Sequence, residues 1–172
     1  VSDMFEGQIR PYVTTENQAK QFYTIAEKSF QYGSPWTFQQ YEDLLVDPDM
    51  LFYVAEQDHE IVGYIGGKVV LDEAEIYTIA VRRENQKHSI ARQLLEAFKE
   101  ACRINQADVL FLEVRQSNTP ARRFYEKNGF DIIGIRGGYY TFPKEDAIMM
   151  KCELRKKEEN EEQANLGDRN EL

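Results

Sequence analysis

Between Phe111 and Phe130 the chain reads FLEVRQSNTPARRFYEKNGF, and two of its groups are suited to moving protons: the carboxylate of Glu113 and, twelve residues on, the phenol of Tyr125. An acid and a tyrosine facing one cleft can take a proton from an incoming nucleophile and give one to a leaving group. Glu113 lies in VLFLEV, an apolar, β-rich run with the character of a strand buried on both faces, where a carboxylate needs a reason. Enclosure by Phe111, Leu112 and Val114 would favour its protonated form, the direction a general base needs. The alternative is a structural ion pair with Arg115 on the same strand face. Thr119 reads as a helix N-cap, Pro120 as the first helical residue and Gly129 as the stop, which puts Tyr125 in the middle of a short helix from Pro120 to about Asn128. A mid-helix tyrosine is more often half-buried packing, so its chemical reading depends on the company of Glu113. Glu73 and Glu75 are weaker candidates for a base acting through water, and His59, in a turn, reads as inert.

The elements that must position this pair follow from periodicity and punctuation. Gln8 to Val13 reads as a first strand, and Thr15 with Gln18 forms a capping-box signature for a helix reaching Phe30. Thr37 with Gln40 repeats the signature for a second helix. Between them, Gln31 to Trp36 holds Gly33 and Pro35 and is a loop. Its Tyr32 and Trp36 are either walls of an acceptor site or aromatic core. Leu51 to Ala55, Ile61 to Val70 and Glu75 to Val81 read as a meander of antiparallel strands. A helix from Ile90 to Ile104 follows, then the Glu113 strand, the Tyr125 helix, and final strands around Asp131 to Arg136 and Asp146 to Leu154. This order predicts an α/β fold, an α+β mixed sheet with a parallel pair at its heart. Residues 1–154 form the domain, and 155–172 read as a polar, acidic C-terminal tail.

At 172 residues a single core suffices, and 42% hydrophobic with 30% charged residues is ordinary for a soluble globular protein. No apolar run approaches the roughly 20 residues that span a bilayer, and no secretory signal is visible, so no membrane partner is expected. Cys102 and Cys152 each continue an apolar periodicity, which makes core packing their reading and a reducing cytoplasm the expected compartment. Neither has metal-ligand neighbours, and no metal is expected. The formal charge of −9 argues against nucleic-acid binding; it serves solubility alone or also steers basic partners, and the first reading is preferred.

The segments IAV (Ile79 to Val81), Gln86 to Ala91, LEVRQSN (Leu112 to Asn118), FYEKNGF (Phe124 to Phe130) and GGYYTFPKEDAIMM (Gly137 to Met150) together resemble the GNAT superfamily of acetyl-CoA-dependent N-acetyltransferases. The likeness is to its bacterial ribosomal-protein-alanine branch in particular. It covers the C-terminal half closely and the N-terminal half more loosely, with SPWTFQQYEDLL (Ser34 to Leu45) as the best match there. The resemblance implies a central parallel strand pair splayed to admit acetyl-CoA as co-substrate. The backbone of Ile79, Ala80 and Val81 would bond its pantetheine arm. The loop Gln86, Lys87, His88, Ser89, Ile90, Ala91, with Arg92 beyond it, would cradle the pyrophosphate on helix-start amides. Asn118 corresponds to an asparagine that contacts CoA, its other reading being a turn residue before the helix.

One position departs from the family pattern: the first glycine of the loop is Ser89. A left-handed backbone there would cost serine roughly 1–2 kcal/mol, about tenfold in affinity. A need only for a small side chain would let Ser89 cap the helix, and this is the expectation adopted. The resemblance makes Glu113 the general base and Tyr125 the general acid, and it makes Tyr139 and Tyr140 an aromatic acceptor wall. It implies a basic protein N-terminus as acceptor, that of a ribosomal protein. The rival readings are a small-molecule amine or lysine acetyltransferase and a non-catalytic acyl-CoA-binding regulatory module. Oligomeric state is not legible.

Overall fold

The computed structural model describes residues 4–87 and 89–155. Seven strands and four α-helices follow one another along it: β1 (Gln8–Pro11), α1 (Ala19–Ser29), α2 (Phe38–Leu45), β2 (Met50–Gln57), β3 (Glu60–Val70), β4 (Glu73–Val81), α3 (Ile90–Ile104), β5 (Val109–Arg115), α4 (Thr119–Lys127), β6 (Asp131–Thr141) and β7 (Lys144–Glu153). The strands form one mixed sheet in the order β1-β2-β3-β4-β5-β7-β6, in which only β4 and β5 run parallel.

Helices cover both faces, each through the apolar stripe its 3.6-residue period supplies. On one face Leu94, Leu95, Phe98 and Cys102 of α3 pack with Ile65, Leu110, Leu112 and Met150 of the sheet. On the other, Phe22, Ile25 and Tyr41 from α1 and α2 pack with Phe52, Val54 and Tyr64. Both cysteines are core residues, and burial pushes the Cys102 thiol up to about 12. No helix among the described residues is long and apolar enough to cross a membrane.

Three local expectations are corrected. The capping box at Thr15 does not form: α1 starts at Ala19, with Gln18 as an N-cap whose side chain makes no capping bond. Arg10 holds Glu16 at 2.7 Å, and Asn17 takes a left-handed φ of 53° that no helix can pass through. The second box forms as read, with Thr37 and Gln40 bonding reciprocally. At α4 the cap is Asn118, not Thr119; its side-chain oxygen accepts from the Ala121 amide. Gly129, at φ +92°, ends that helix as expected. Finally, β5 is not buried on both faces. Leu110, Leu112 and Val114 face the α3 core, while Phe111, Glu113 and Arg115 alternate onto a half-covered face.

The parallel pair is short. β4 and β5 are in register only at Glu73/Val109, Ala74/Leu110 and Glu75/Phe111, after which they part. The cause lies on the other side of β4, where Gly66 pairs with Thr78 but Gly67 with Ile76, so Tyr77 is an extra, bulged residue. A bulge bends its strand and raises its twist, turning β4 away from β5. Two glycines permit it: a Cβ at Gly67 would collide with the Glu75 carbonyl, and one at Gly66 with the Phe52 ring. At the far end of the domain Leu154 is buried and its amide donates to Asp108, while Arg155 pairs with the Asp108 carboxylate. The rest of the expected tail, 156–172, lies outside the described residues.

Candidate active site

The gap between the parting strands opens at the N-terminus of α3, where a cavity of about 280 Å³ lies between α3 and α4. Gln86, Lys87, Ser89, Ile90, Ala91 and Arg92, residues of the expected cofactor loop, line it together with Val81. His88, also named there, lies outside the described residues. The first intrahelical bond of α3 runs from the Gln93 amide to the Ser89 carbonyl. The amides of Ile90, Ala91 and Arg92 therefore remain free donors at the positive end of the helix. Lys87 and Arg92 have no ion-pair partner among the described residues. Gln86 anchors the loop by donating to the Val81 carbonyl at 3.0 Å.

Ser89 does not behave as expected. Its φ and ψ of 61° and 13° are left-handed, and its side chain does not cap the helix. It only accepts from Gln93 at 3.3 Å. The glycine-type backbone is thus retained with a serine in it, and Lys87 is left-handed too, at φ 68°.

Along β4 the antiparallel ladder determines which amides face the gap. The Arg82 amide bonds the Val62 carbonyl on β3. By alternation Ala80 also turns its backbone toward β3, whereas Ile79 and Val81 turn theirs toward the gap. The Val81 carbonyl is already shared by Ser29 and Gln86, so Ile79 keeps the freer pair. Asn118 is committed through its oxygen to capping α4.

Glu113 lies on the opposite face of the sheet from this cavity, at the mouth of the gap. Of the apolar residues expected to enclose it, Phe111 shares its face, whereas Leu112 and Val114 turn to the other; Met149 stands directly across on β7. The Glu113 side chain is 17% exposed and pairs with Arg136 at 3.3 Å, not with Arg115. Arg115 belongs instead to Glu145, also at 3.3 Å. It lies between the rings of Tyr32 and Tyr140, 5.0 and 4.2 Å from their centroids, and donates to the carbonyls of Phe142 and Pro143. Arg115 thereby joins the loop after α1 to the β6–β7 hairpin across the mouth.

Tyr139 and Tyr140 meet edge to face at 5.1 Å on one wall. Glu113 lies close enough to Tyr139 to take its hydroxyl as a partner, and this contact, with some burial, raises the Tyr139 pKa. Burial first, then the charge of Glu113, pushes Tyr140 up to about 12. Surrounding protein and then the nearby Glu113 carboxylate raise the pKa of Glu75, with Arg136 opposing. Of the two expected aromatic walls, Tyr32 stands at the mouth. Trp36 packs on Tyr41 at 5.2 Å in the α1–α2 core.

Tyr125 is buried on α4, on the α3 side of the sheet, between Phe124 and Phe130. Burial, and secondarily Tyr140, raises its pKa well above the ordinary tyrosine value, so it is a protonated donor at neutral pH. Tyr140 raises the Tyr125 pKa secondarily, and Glu113 in turn raises that of Tyr140. Among the described residues no cluster of histidine, cysteine and carboxylate side chains has the makings of a metal site.

Sequence reasoning missed Asn85, Phe124 and Asn128 in the cavity wall and Arg136 on Glu113. FYEKNGF contained two of them. Nothing local marked Arg136, because its position depends on the β5-β7-β6 register, in which Arg115, Ala147 and Arg136 share a row.

Known proteins share this fold. The family model described as "Acetyltransferase (GNAT) family" matches residues 16–130. A protein of Bacillus subtilis (strain 168), provisionally named a ribosomal protein bS18-alanine N-acetyltransferase, is 40% identical over 129 residues, 74% of this chain and 84% of its own length. The ribosomal protein bS18-alanine N-acetyltransferase of Haemophilus ducreyi is 38% identical over 58% of this chain and 70% of its own. The crystal structure of the ribosomal-protein-S18-alanine N-acetyltransferase from Escherichia coli superposes with a TM-score of 0.77 at 29% identity, covering 87% of this chain and 95% of that one.

Proposed function

Because this chain belongs to the GNAT acetyltransferase family and is an acetyl-CoA-dependent N-acetyltransferase, we propose that its acceptor is a protein N-terminal α-amine, the N-terminal alanine of a small-subunit ribosomal protein. The observation that carries this reading is the acidic, tyrosine-walled mouth around Glu113, opening directly on the gap between β4 and β5. The names of the relatives at 38–40% identity point the same way.

Acetyl-CoA, when bound, supplies an activated acetyl group as a thioester. The free amides at the start of α3, with Lys87 and Arg92, would hold its phosphates, and the gap-facing backbone of Ile79 would steady its arm. Glu113 takes a proton from the acceptor's ammonium. Tyr125, kept protonated by burial, gives one to the departing thiolate. Tyr32, Tyr139 and Tyr140 form the walls that orient the peptide, and Arg115 keeps them together.

An α-amine suits this machinery better than lysine. Its pKa of roughly 7.7–8.0, against about 10.4, makes deprotonation at neutral pH easier by roughly 3 kcal/mol, within reach of one carboxylate. The net charge of −9 steers basic chains toward the protein. Thiol release with acetyl-CoA and basic peptides tests the reading: it predicts turnover with a free alanine start and none when that start is blocked. Turnover confined to lysine side chains or polyamines would replace it.

A further inference from the structure

The two arginines of the mouth differ in how they are held. Arg115 has a side-chain exposure of 21%, two aromatic faces, two backbone carbonyls and Glu145; it is built in. Arg136 is 54% exposed and touches one carboxylate, Glu113, through Nε at 3.3 Å, and one ring, Tyr139, at 5.7 Å. No other ion pair holds it among the described residues. Two strands across from Glu113 in the same row, beyond Met149, stands Gly134, which adds no side chain of its own between Glu113 and Arg136. A cation held by a single carboxylate, half in water, costs little to displace.

We propose that Arg136 is the resident counter-ion of the acceptor mouth: it occupies the place on Glu113 that the acceptor's ammonium takes, yields it on binding, and returns once the amine has become an amide. The inference rests on the proposed acceptor. The overall reaction converts R–NH₃⁺ and the acetyl thioester into a neutral R–NH–acetyl, a free thiol and one proton. The N–C bond forms as the C–S bond breaks, Tyr125 gives its proton to the thiolate and regains one from the amine, and Glu113 passes the amine's other released proton to water. Substrate therefore arrives with a charge that competes with Arg136, and product leaves without one. Arg136 selects against nonbasic ligands and favours product departure, because an amide cannot hold Glu113 against a guanidinium.

The test compares a free-amine alanine-start peptide with its N-acetylated form by calorimetry, with CoA present so that no turnover occurs. Arg136→Gln is expected to bind the free-amine peptide roughly two- to fivefold more tightly, the range for an exposed ion pair. Affinity for the acetylated peptide should stay unchanged, and KM for the acceptor should fall by the same factor. Arg136→Lys, which keeps the charge, should remain near the native values. Unchanged or weaker binding of the free amine would overturn the proposal. Equal tightening of both peptides would do so too, since that would reflect net charge alone. If the native protein acetylates some other amine, the acceptor reading falls by itself, and the same comparison of that amine with its acetylated form decides the role of Arg136.

Discussion

The proposed chemistry rests on Glu113 and Tyr125, and each makes a separable prediction. Glu113→Gln should lower kcat by on the order of 10²–10⁴ at neutral pH while acetyl-CoA affinity, measured by calorimetry, stays put. Unchanged turnover would remove it from the mechanism. Tyr125→Phe should also reduce kcat, and because burial raises its pKa the native hydroxyl stays protonated through mildly alkaline pH. Any alkaline fall in the native pH profile must then survive in Tyr125→Phe. These two candidates stood out in the sequence because a lone acid in an apolar strand and a Pro-started, Gly-stopped helix are marked by residue type. The backbone at Ser89 was not, since serine's type gives no sign of a φ of 61°. Ser89→Gly should relieve that strain, raising the melting temperature and leaving acetyl-CoA binding unchanged or up to about tenfold tighter. A large loss of affinity would mean that the serine hydroxyl itself holds the co-substrate.

At the scale of elements, the site depends on β4 leaving β5 after three residue pairs, and that depends on the bulge at Tyr77. Gly67→Ala puts a methyl against the Glu75 carbonyl and the Phe98 ring, neither of which can give way cheaply. The expected cost is roughly 1–3 kcal/mol in chemical unfolding, with weaker acetyl-CoA binding as β4 shifts. Native stability with native affinity would show that the bulge does not set the gap. Element order, α3 and the Thr37 cap were readable from periodicity and capping chemistry. The bulge was written only as Gly66-Gly67 inside a strand, a signal of close approach that does not say on which strand the extra residue lies. The burial of β5 was misjudged for a related reason. An apolar run such as VLFLEV reads as doubly buried, yet the face carrying Phe111 and Glu113 is left half-covered as the site's floor, beyond the reach of α1 and α2.

Across the whole molecule, burial and pairing of titratable groups define a window of stability. Cys102 and Tyr140 have folded-state pKa values raised to about 12 from 9.0 and 10.0. Their contribution is full below the unfolded values and is lost as pH climbs toward 12. Glu16, held by Arg10, and Glu145, held by Ser117 and Arg115, are lowered from 4.5, so theirs is present above that pH and lost below it. Melting temperatures should therefore level off between about pH 5 and 9 and fall on both sides; a maximum outside that interval would contradict this electrostatic account. Within the window lies the reaction itself. The most direct measurement mixes the protein and acetyl-CoA with equal amounts of an alanine-start basic peptide carrying internal lysines and the same peptide with its N-terminus blocked, then locates the added mass by fragmentation. The account predicts a single acetyl group, on the α-amine of the free peptide alone. Acetyl groups on the lysines of both peptides would contradict it.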